Sequence, residues 1–328
     1  MSDPDTFFSQ PYPWQARQWQ QLMAMLEGGT LAHALLLAGG AGTGKLDFAH
    51  ALSNRLLCDT PGGDLACGQC KSCQLQKAGS HPDFKVLSPE DNSKVVKVDQ
   101  IRALVDFINK KAQYSGYKVV IVSPAEAMNI SASNALLKSL EEPGAKTVLL
   151  LLSHSPSRLM ATIRSRCQKL TFPLPKENEA LNWLSEQGVS AAQSLLSVAG
   201  GAPLKARDLD GSGVLEQRKE MAAALLSIRQ GVLDPVVVAS QWEKGLANES
   251  LKWLIAWTLD WVRVKLDQPV VNQDLQAVLS EIATSLNTAS IFTFCDALKE
   301  AREQVQSSSN PNINLMWDHL LIKWAQLH

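Results

Sequence analysis

The chain has 328 residues, of which 45% are hydrophobic and 19% are charged. That length predicts two or three domains, and the hydrophobic content excludes a disordered chain. The formal net charge is -1, whereas a protein that binds nucleic acid on its own usually carries a clear basic excess. A module that binds nucleic acid on its own, with or without a metal, is therefore a disfavoured interpretation.

The N-terminal segment has neither the basic region nor the apolar core of a signal peptide. No apolar run in the sequence approaches the ~18 residues that a transmembrane helix needs. We therefore expect a cytoplasmic protein that makes no contact with a membrane.

Short apolar runs alternate with helical segments over the first half of the chain. The run at 34–38 (ALLLA) ends in glycines and predicts a parallel strand buried on both faces, with a helix after it from about 44 to 57. The same pattern predicts four further strands, at 83–87, 118–122, 147–152 and 169–172. Such alternation is typical of a doubly wound α/β domain, which we expect to end near residue 173.

A short helix is predicted between the strands at 118–122 and 147–152. Residues 130–142 contain the helix formers ALLKSLEE, with Ser131 as the candidate N-cap and Pro143 as the stop. Three short helical pieces then follow the sheet: 177–187, 190–199 and a turn from residue 203.

From about residue 213 to 328 the pattern predicts five or six helices and no strand. Trp253, Trp257 and Trp261 recur at every fourth position, which places them on one stripe of a helix. Aromatic residues at this spacing usually fill a helix-bundle core, which is the favoured interpretation. Part of the stripe could instead face a neighbouring subunit.

Residues 39–46 read GGAGTGKL and lie directly between the first predicted strand and its helix. They match the phosphate-binding pattern G-x-x-x-x-G-K, in which backbone N–H groups surround an anion and the lysine reaches the terminal phosphates. The candidate binding residues are Gly39, Gly44 and Lys45. A chance glycine-rich loop is the alternative, and the order of strand, loop and helix disfavours it.

This loop lacks the groups that ATP hydrolysis needs. Leu46 stands where a serine or threonine would hold magnesium, and the strand at 118–122 runs into Ser123 and Pro124, with Glu126 as the nearest acid. Phosphoryl transfer then has no acidic residue placed to hold the metal or to position water. We predict a vestigial site that binds ATP weakly through Lys45 or not at all.

Four cysteines share the spacing C-x8-C-x2-C-x2-C: Cys58, Cys67, Cys70 and Cys73. Such spacing lets four thiolates converge on one tetrahedral ion and predicts structural zinc, because a full shell leaves no position for a catalytic water. An iron–sulfur cluster and a disulfide are the alternatives, of which the disulfide is disfavoured in a reducing compartment. Cys167 and Cys295 stand apart and are expected to pack as small hydrophobic residues.

Taken together, these motifs resemble one known family. The phosphate loop, the cysteine insertion after its helix, NALLKSLEEP at 134–143 and SRC at 165–167 are similar to the bacterial clamp-loader subunits delta-prime, gamma and tau. The YPW at 12–14 and the HPD at 81–83 are closer to the delta-prime branch. The resemblance rests on specific motifs over most of residues 10–175. Over the helical remainder it is limited to the general architecture.

The resemblance implies an α/β AAA+ fold, with a RecA-like parallel sheet and a zinc module, followed by a small helical lid domain and an all-α collar domain. In this numbering the AAA+ domain is 1–173 with the zinc module at 58–80, the three-helix lid is 174–211, and the collar that joins subunits is 212–328.

The resemblance also implies a function within DNA polymerase III. Delta-prime, gamma or tau, and delta subunits form an arc that uses ATP to open the ring-shaped sliding clamp and place it on primed DNA. In this scheme delta-prime has no complete active site of its own. Arg166, between Ser165 and Cys167, would act as an arginine finger on the ATP of a neighbouring gamma or tau subunit. An ordinary surface arginine paired with an acid is the alternative.

Gamma and tau keep a serine or threonine after the lysine and an Asp-Glu pair at the strand end, and this sequence departs from them at both places. An ATP-hydrolysing protein of the gamma or tau type, or another AAA+ ATPase, is the main rival hypothesis. Arg158, Arg164 and Lys169 lie near the SRC motif and could contact DNA, although a solvated charged face is the favoured interpretation.

Overall fold

The computed structural model describes residues 10–90, 93–114, 116–242, 247–306 and 311–327. The chain divides into two compact units: Met1–Ala180 with Ala202–Lys205, and Leu181–Gly201 with Ala206–His328. The predicted domain boundaries near residues 173 and 211 stay predictions.

A parallel sheet forms the centre of the first unit. Its five strands are β1 (Ala34–Ala38), β2 (Phe84–Leu87), β3 (Lys118–Val122), β4 (Thr147–Ser153) and β5 (Gln168–Thr171). Their order is β2-β3-β4-β1-β5, and every neighbouring pair is parallel. In register, Leu36 of β1 lies between Leu151 of β4 and Lys169 of β5. All five predicted strands are confirmed, with ends that move by one residue.

Helices cover both faces of this sheet, which is why β1, β3 and β4 are buried at every position and apolar along most of their length. The helices of this part of the chain are α1 (Ala16–Glu27), α2 (Lys45–Leu57), α3 (Lys71–Lys77), α4 (Val98–Ile108), α5 (Ile130–Glu141) and α6 (Ala161–Arg164). On one face, Leu36 packs in a core with Leu104 and Leu136. On the other face, Leu35 packs with Phe48 of α2. The predicted α/β domain is therefore confirmed.

Helix α5 begins two residues earlier than its predicted cap allows. The N-cap is Asn129, whose Oδ1 accepts the N–H of Ala132 at 2.8 Å. Ser131 lies inside the first turn, so its prediction as N-cap is wrong. The helix ends at Glu141, ahead of Pro143, as the proline predicts.

The rest of the described chain is helical. It contains α7 (Glu177–Glu186), α8 (Ala192–Val198), α9 (Pro203–Asp208), α10 (Val214–Arg229), α11 (Pro235–Gln241), α12 (Ala247–Lys265), α13 (Gln276–Thr284), α14 (Thr288–Gln306) and α15 (Ile313–Ala325). The piece predicted as a turn from residue 203 is the short helix α9. No strand occurs among the residues described beyond β5, as the pattern predicts.

The tryptophan stripe of α12 lies in the core of the second unit. Trp253 is 5% exposed, and Trp257 and Trp261 are fully buried. The ring of Trp261 stacks on that of Trp324 with centroids 5.0 Å apart, and the buried guanidinium of Arg218 lies over Trp253 and Trp257. The core interpretation is confirmed, and the stripe offers no exposed ring to a neighbouring subunit.

The HPD motif holds the turn that precedes β3. The fully buried carboxylate of Asp83 accepts the N–H groups of Gln113 and Tyr114 at 2.9 Å and pairs with Lys118 Nζ at 3.3 Å. Lys118 is 3% exposed, so both charges of the pair are away from water. The HPD motif therefore has a structural role, in which Asp83 holds the turn before β3.

We expect Asp83→Ala to lower the free energy of unfolding by about 3 kcal/mol or more, because it leaves the Lys118 ammonium buried without its partner. Urea denaturation followed by circular dichroism measures the change. Glu90→Ala is the matched control, since Glu90 pairs with Lys97 at the surface and exposed pairs contribute about 1 kcal/mol or less. Equal losses in the two variants would contradict the structural role of Asp83.

Candidate functional site

The phosphate loop lies between β1 and α2, as predicted, and packing requires its glycines. A Cβ atom at Gly39 would lie 2.2 Å from the carbonyl oxygen of Phe172. Gly44 has a φ of 80°, and a Cβ there would lie 2.5 Å from the ring of Tyr12. Both positions therefore accept only glycine, independently of any bound phosphate.

Lys45 is turned onto the carbonyl groups of its own loop. Its Nζ donates to the carbonyl oxygens of Gly39 at 2.8 Å and Gly40 at 2.6 Å, and the residue is 3% exposed. Burial lowers the pKa of Lys45 to about 8, and the nearby charge of Glu126 offsets part of that effect. A phosphate group would have to draw this ammonium away from two carbonyl partners.

The segment around the YPW motif closes the loop from outside. Gln15 Nε2 donates to the carbonyl oxygens of Thr43 and Gly44, both at 2.9 Å, and Trp14 Nε1 donates to that of Thr43 at 3.1 Å. The ring of Tyr12 stacks on that of Trp14 with centroids 4.9 Å apart. The YPW motif therefore has a physical role, since Trp14 bonds to the loop and Tyr12 stacks on Trp14.

The two positions that an ATPase uses for metal and water are occupied by other groups. Leu46, an aliphatic side chain that is 38% exposed, offers no ligand atom at the start of α2. Glu126 Oε1 accepts the N–H groups of His154 at 2.9 Å and Ser155 at 3.1 Å, and so holds the turn after β4. Its Oε2 is buried and has no hydrogen-bond partner within the described ranges.

The four cysteines predicted as ligands come together. Their Sγ atoms all lie within 4.8 Å of one another, with 3.9 Å between Cys58 and Cys70 and 3.9 Å between Cys67 and Cys73. Four sulfur atoms at about 2.3 Å from a tetrahedral zinc ion would be about 3.8 Å apart. The cluster is therefore the right size for a single zinc ion, and it can hold a metal.

Backbone N–H groups point at the sulfur atoms of this cluster and so favour thiolates. The N–H of Cys67 points to Cys58 Sγ at 3.3 Å, that of Cys70 to Cys67 Sγ at 3.3 Å, and that of Cys73 to Cys70 Sγ at 3.4 Å. Hydrogen bonds from the Thr60 hydroxyl and from backbone N–H groups lower the pKa of Cys67 to about 5. Burial raises the pKa of Cys58 and Cys73, so a bound cation would be needed to keep all four ionised.

Arg166 lies between α6 and β5 with an acid beside it. Its Nε donates to Glu141 Oε1 at 2.8 Å and its Nη1 to the carbonyl oxygen of Thr162 at 3.1 Å. Ser165 Oγ bonds to the same carbonyl group at 3.2 Å, while Cys167 is buried in the core, where desolvation raises the pKa of its thiol to about 11. Arg166 thus has an acid partner, as the alternative interpretation expects, and its side chain is still 36% exposed.

These three features are separate in space. The phosphate loop and the cysteine cluster lie at opposite ends of α2, whose 13 residues give a length of roughly 20 Å. Arg166 bonds to Glu141 and Thr162, which belong to neither the loop nor the cluster. Arg158, Arg164 and Lys169 are exposed near the SRC motif, and their contact with DNA stays a prediction.

The first unit has a parallel sheet with a phosphate loop between β1 and α2, and the rest of the described chain is helical. This combination defines a protein of the AAA+ class.

Among the described helices, none has the length and apolar character to cross a bilayer.

Comparison with known proteins identifies the family. Models described as "DNA polymerase III, delta subunit" and "DNA polymerase III, delta subunit, C terminal" match residues 14–176 and 212–326. DNA polymerase III subunit delta' of Pseudomonas aeruginosa PAO1 is 40% identical over 96% of this chain and 98% of its own. That of Escherichia coli K12 is 33% identical, over 95% of this chain and 94% of its own. The chain therefore belongs to the family of DNA polymerase III delta-prime subunits.

Among solved structures, a DNA polymerase III gamma subunit-related protein from Thermotoga maritima covers 94% of this chain and 99% of its own. Its identity to this chain is 18% and the TM-score is 0.48. The two delta' relatives confirm the closer resemblance to delta-prime that YPW and HPD indicate.

Proposed function

We propose that this chain is a non-hydrolysing delta-prime subunit of a DNA polymerase III clamp loader, which helps to load a sliding clamp on primed DNA during chromosomal replication. The observation that carries the proposal is the closed phosphate loop in a member of the delta-prime family. Lys45 binds its own loop's carbonyl groups, and Leu46 replaces the residue that would hold magnesium.

The closed conformation explains why the fold retains the phosphate loop although the chain does not hydrolyse ATP. Lys45, Gln15 and Trp14 together donate to the carbonyl oxygens of Gly39, Gly40, Thr43 and Gly44. These bonds hold the connection between β1 and α2 in one conformation without a nucleotide. In this role Lys45 is a structural cation, and ATP binds weakly or not at all.

The partners in this proposal are the gamma or tau and delta subunits, with the sliding clamp and primed DNA reached through the assembly. The formal net charge of -1 supports indirect contact with DNA, because a chain that bound DNA alone would need a basic excess. Residues 212–328 are the proposed collar that joins subunits. Such an assembly acts in the cytoplasm, where the chromosome is replicated.

The four cysteines are the proposed ligands of one structural zinc ion. When bound, zinc would supply the four-coordinate link between the end of α2 and the start of α3. Cys58 follows the last residue of α2, Cys70 is the N-cap of α3, and Cys73 lies in its first turn. The four thiolates would thus fix the position of α3 around the ion, and with all four positions filled the site would have no catalytic role.

Arg166 is the proposed arginine finger for the ATP of the adjacent gamma or tau subunit. Its exposure and its place on a short, well-anchored connection between α6 and β5 support that role. Ser165 and Cys167 hold the backbone on either side, one by bonding to Thr162 and the other by burial.

The test of the main proposal is ATP hydrolysis by the purified chain with magnesium. We expect no turnover above that of buffer, because Leu46 holds no magnesium and Glu126 is engaged by backbone N–H groups. Added to gamma or tau and delta, the same preparation should increase ATP hydrolysis stimulated by DNA and clamp, together with clamp loading. A steady turnover by the chain alone that disappears in Lys45→Ala would establish the rival ATPase hypothesis.

A further inference from the structure

The carboxylate of Glu141 holds one side of the Arg166 guanidinium. Both Nε and Nη2 of Arg166 contact the same carboxylate oxygen, Oε1. A third bond runs from Nη1 to the carbonyl oxygen of Thr162 at 3.1 Å. The guanidinium is therefore restrained at all three of its nitrogen atoms.

The backbones that carry these two side chains are themselves anchored. Glu141 is the last residue of α5 and follows Leu140, which is 2% exposed and whose carbonyl oxygen lies 2.8 Å from His33 Nε2. On the other side of the pair, Ile163 is fully buried and Cys167 is 9% exposed. Two residues with fixed main chains thus meet at the surface, which reduces the entropy lost in forming the pair.

The remaining donors of Arg166 suit a phosphate group. Arginine has five N–H donors, and the contacts with Glu141 and Thr162 use three of them. One N–H remains on each of the two terminal nitrogens, with no partner among the described residues. Two adjacent nitrogens are what arginine uses to bind phosphate oxygens in a bidentate manner.

We propose that Glu141 is a positioning residue: it holds the Nε side of Arg166 so that both terminal nitrogens keep a donor for the phosphate of a neighbouring subunit's ATP. This inference rests on the proposed role of Arg166 as a finger in trans. The opposite role, a latch that withholds the arginine, fits the geometry less well. A latch would engage both remaining donors. In addition, an exposed ion pair would shift the equilibrium between a withheld and a free arginine by only about fivefold at most.

The test uses the complete assembly with gamma or tau subunits whose own SRC arginines are replaced by alanine, so that Arg166 is the only finger of this kind. In that background Glu141→Gln should lower the kcat of ATP hydrolysis stimulated by DNA and clamp by about twofold to fivefold, and leave KM unchanged. The neutral amide keeps the size of the side chain and removes the charge. The matched control is Glu142→Gln, which changes the neighbouring exposed acid and should leave kcat unaltered.

A double-mutant cycle separates this inference from the proposed function. Glu141→Gln should have no further effect once Arg166→Ala is present, and thermal unfolding of each variant should match that of the parent chain. If Arg166→Ala lowers kcat while Glu141→Gln leaves it unchanged or raises it, positioning by Glu141 is overturned and the finger stands. If Arg166→Ala has no effect, the finger and the inference are both overturned.

Discussion

Protein purified under reducing conditions should contain about one zinc ion per chain, and Cys67→Ser should abolish tight binding. Four-cysteine zinc sites of small domains have apparent binding free energies of about 10–16 kcal/mol near neutral pH. Serine offers a far poorer ligand, so we expect at least a hundredfold loss of affinity. Cys67 is the informative position because its thiol has its pKa lowered to about 5 and is ready to bind as thiolate.

Metal analysis by mass spectrometry and competition with a chromogenic chelator measure this loss. Removal of zinc should also open residues 58–80 to proteases while the sheet stays folded, because none of the four cysteines lies in a strand of the sheet. Cys295→Ser is the control: Cys295 is buried in α14, away from the cluster in sequence, and its replacement should not change the zinc content. Metal-free protein with an ordered 58–80 segment would contradict the zinc proposal, and a coloured preparation that contains iron would favour a cluster.

The features that the sequence predicts well are those with a local physical cause. Strands β1, β3 and β4 are buried on both faces, so each appears as a short apolar run that glycine or polar residues end. The cysteine spacing places the ligands within one short segment. Stripes such as that of Trp253, Trp257 and Trp261 follow from the helical period alone.

The features that the sequence could not predict depend on residues distant along the chain. Gln15 bonds to the carbonyl groups of Thr43 and Gly44 across more than 25 positions, and Arg166 pairs with Glu141 across 25. Neither contact produces a periodicity or a characteristic residue spacing in the sequence. The predicted N-cap of α5 is wrong because Asn129 and Ser131 are both favourable N-cap residues, and only the structure shows that Asn129 makes the capping bond.

The second large effect is expected for Arg166→Ala in the assembled clamp loader. An arginine finger supplied in trans contributes about 10³ to 10⁵ in rate at the ATP site that it faces. In an assembly with several ATP sites only one site loses its finger, so the total rate of stimulated ATP hydrolysis should fall only in part. Clamp loading should fall further. The chain's own fold should be unaffected, because the side chain is 36% exposed and removing it creates no cavity.

Arg166→Lys separates charge from geometry at this position. An ammonium keeps the positive charge and its attraction to Glu141, but it lacks the planar group that binds two phosphate oxygens at once. Lysine should therefore restore only part of the ATP hydrolysis that alanine loses, with zinc content and assembly equal to those of the parent chain. Full restoration by lysine would reduce the role of Arg166 to that of a point charge. Unaltered ATP hydrolysis and clamp loading by Arg166→Ala would instead show that the pair with Glu141 is a surface ion pair and that the chain supplies no finger.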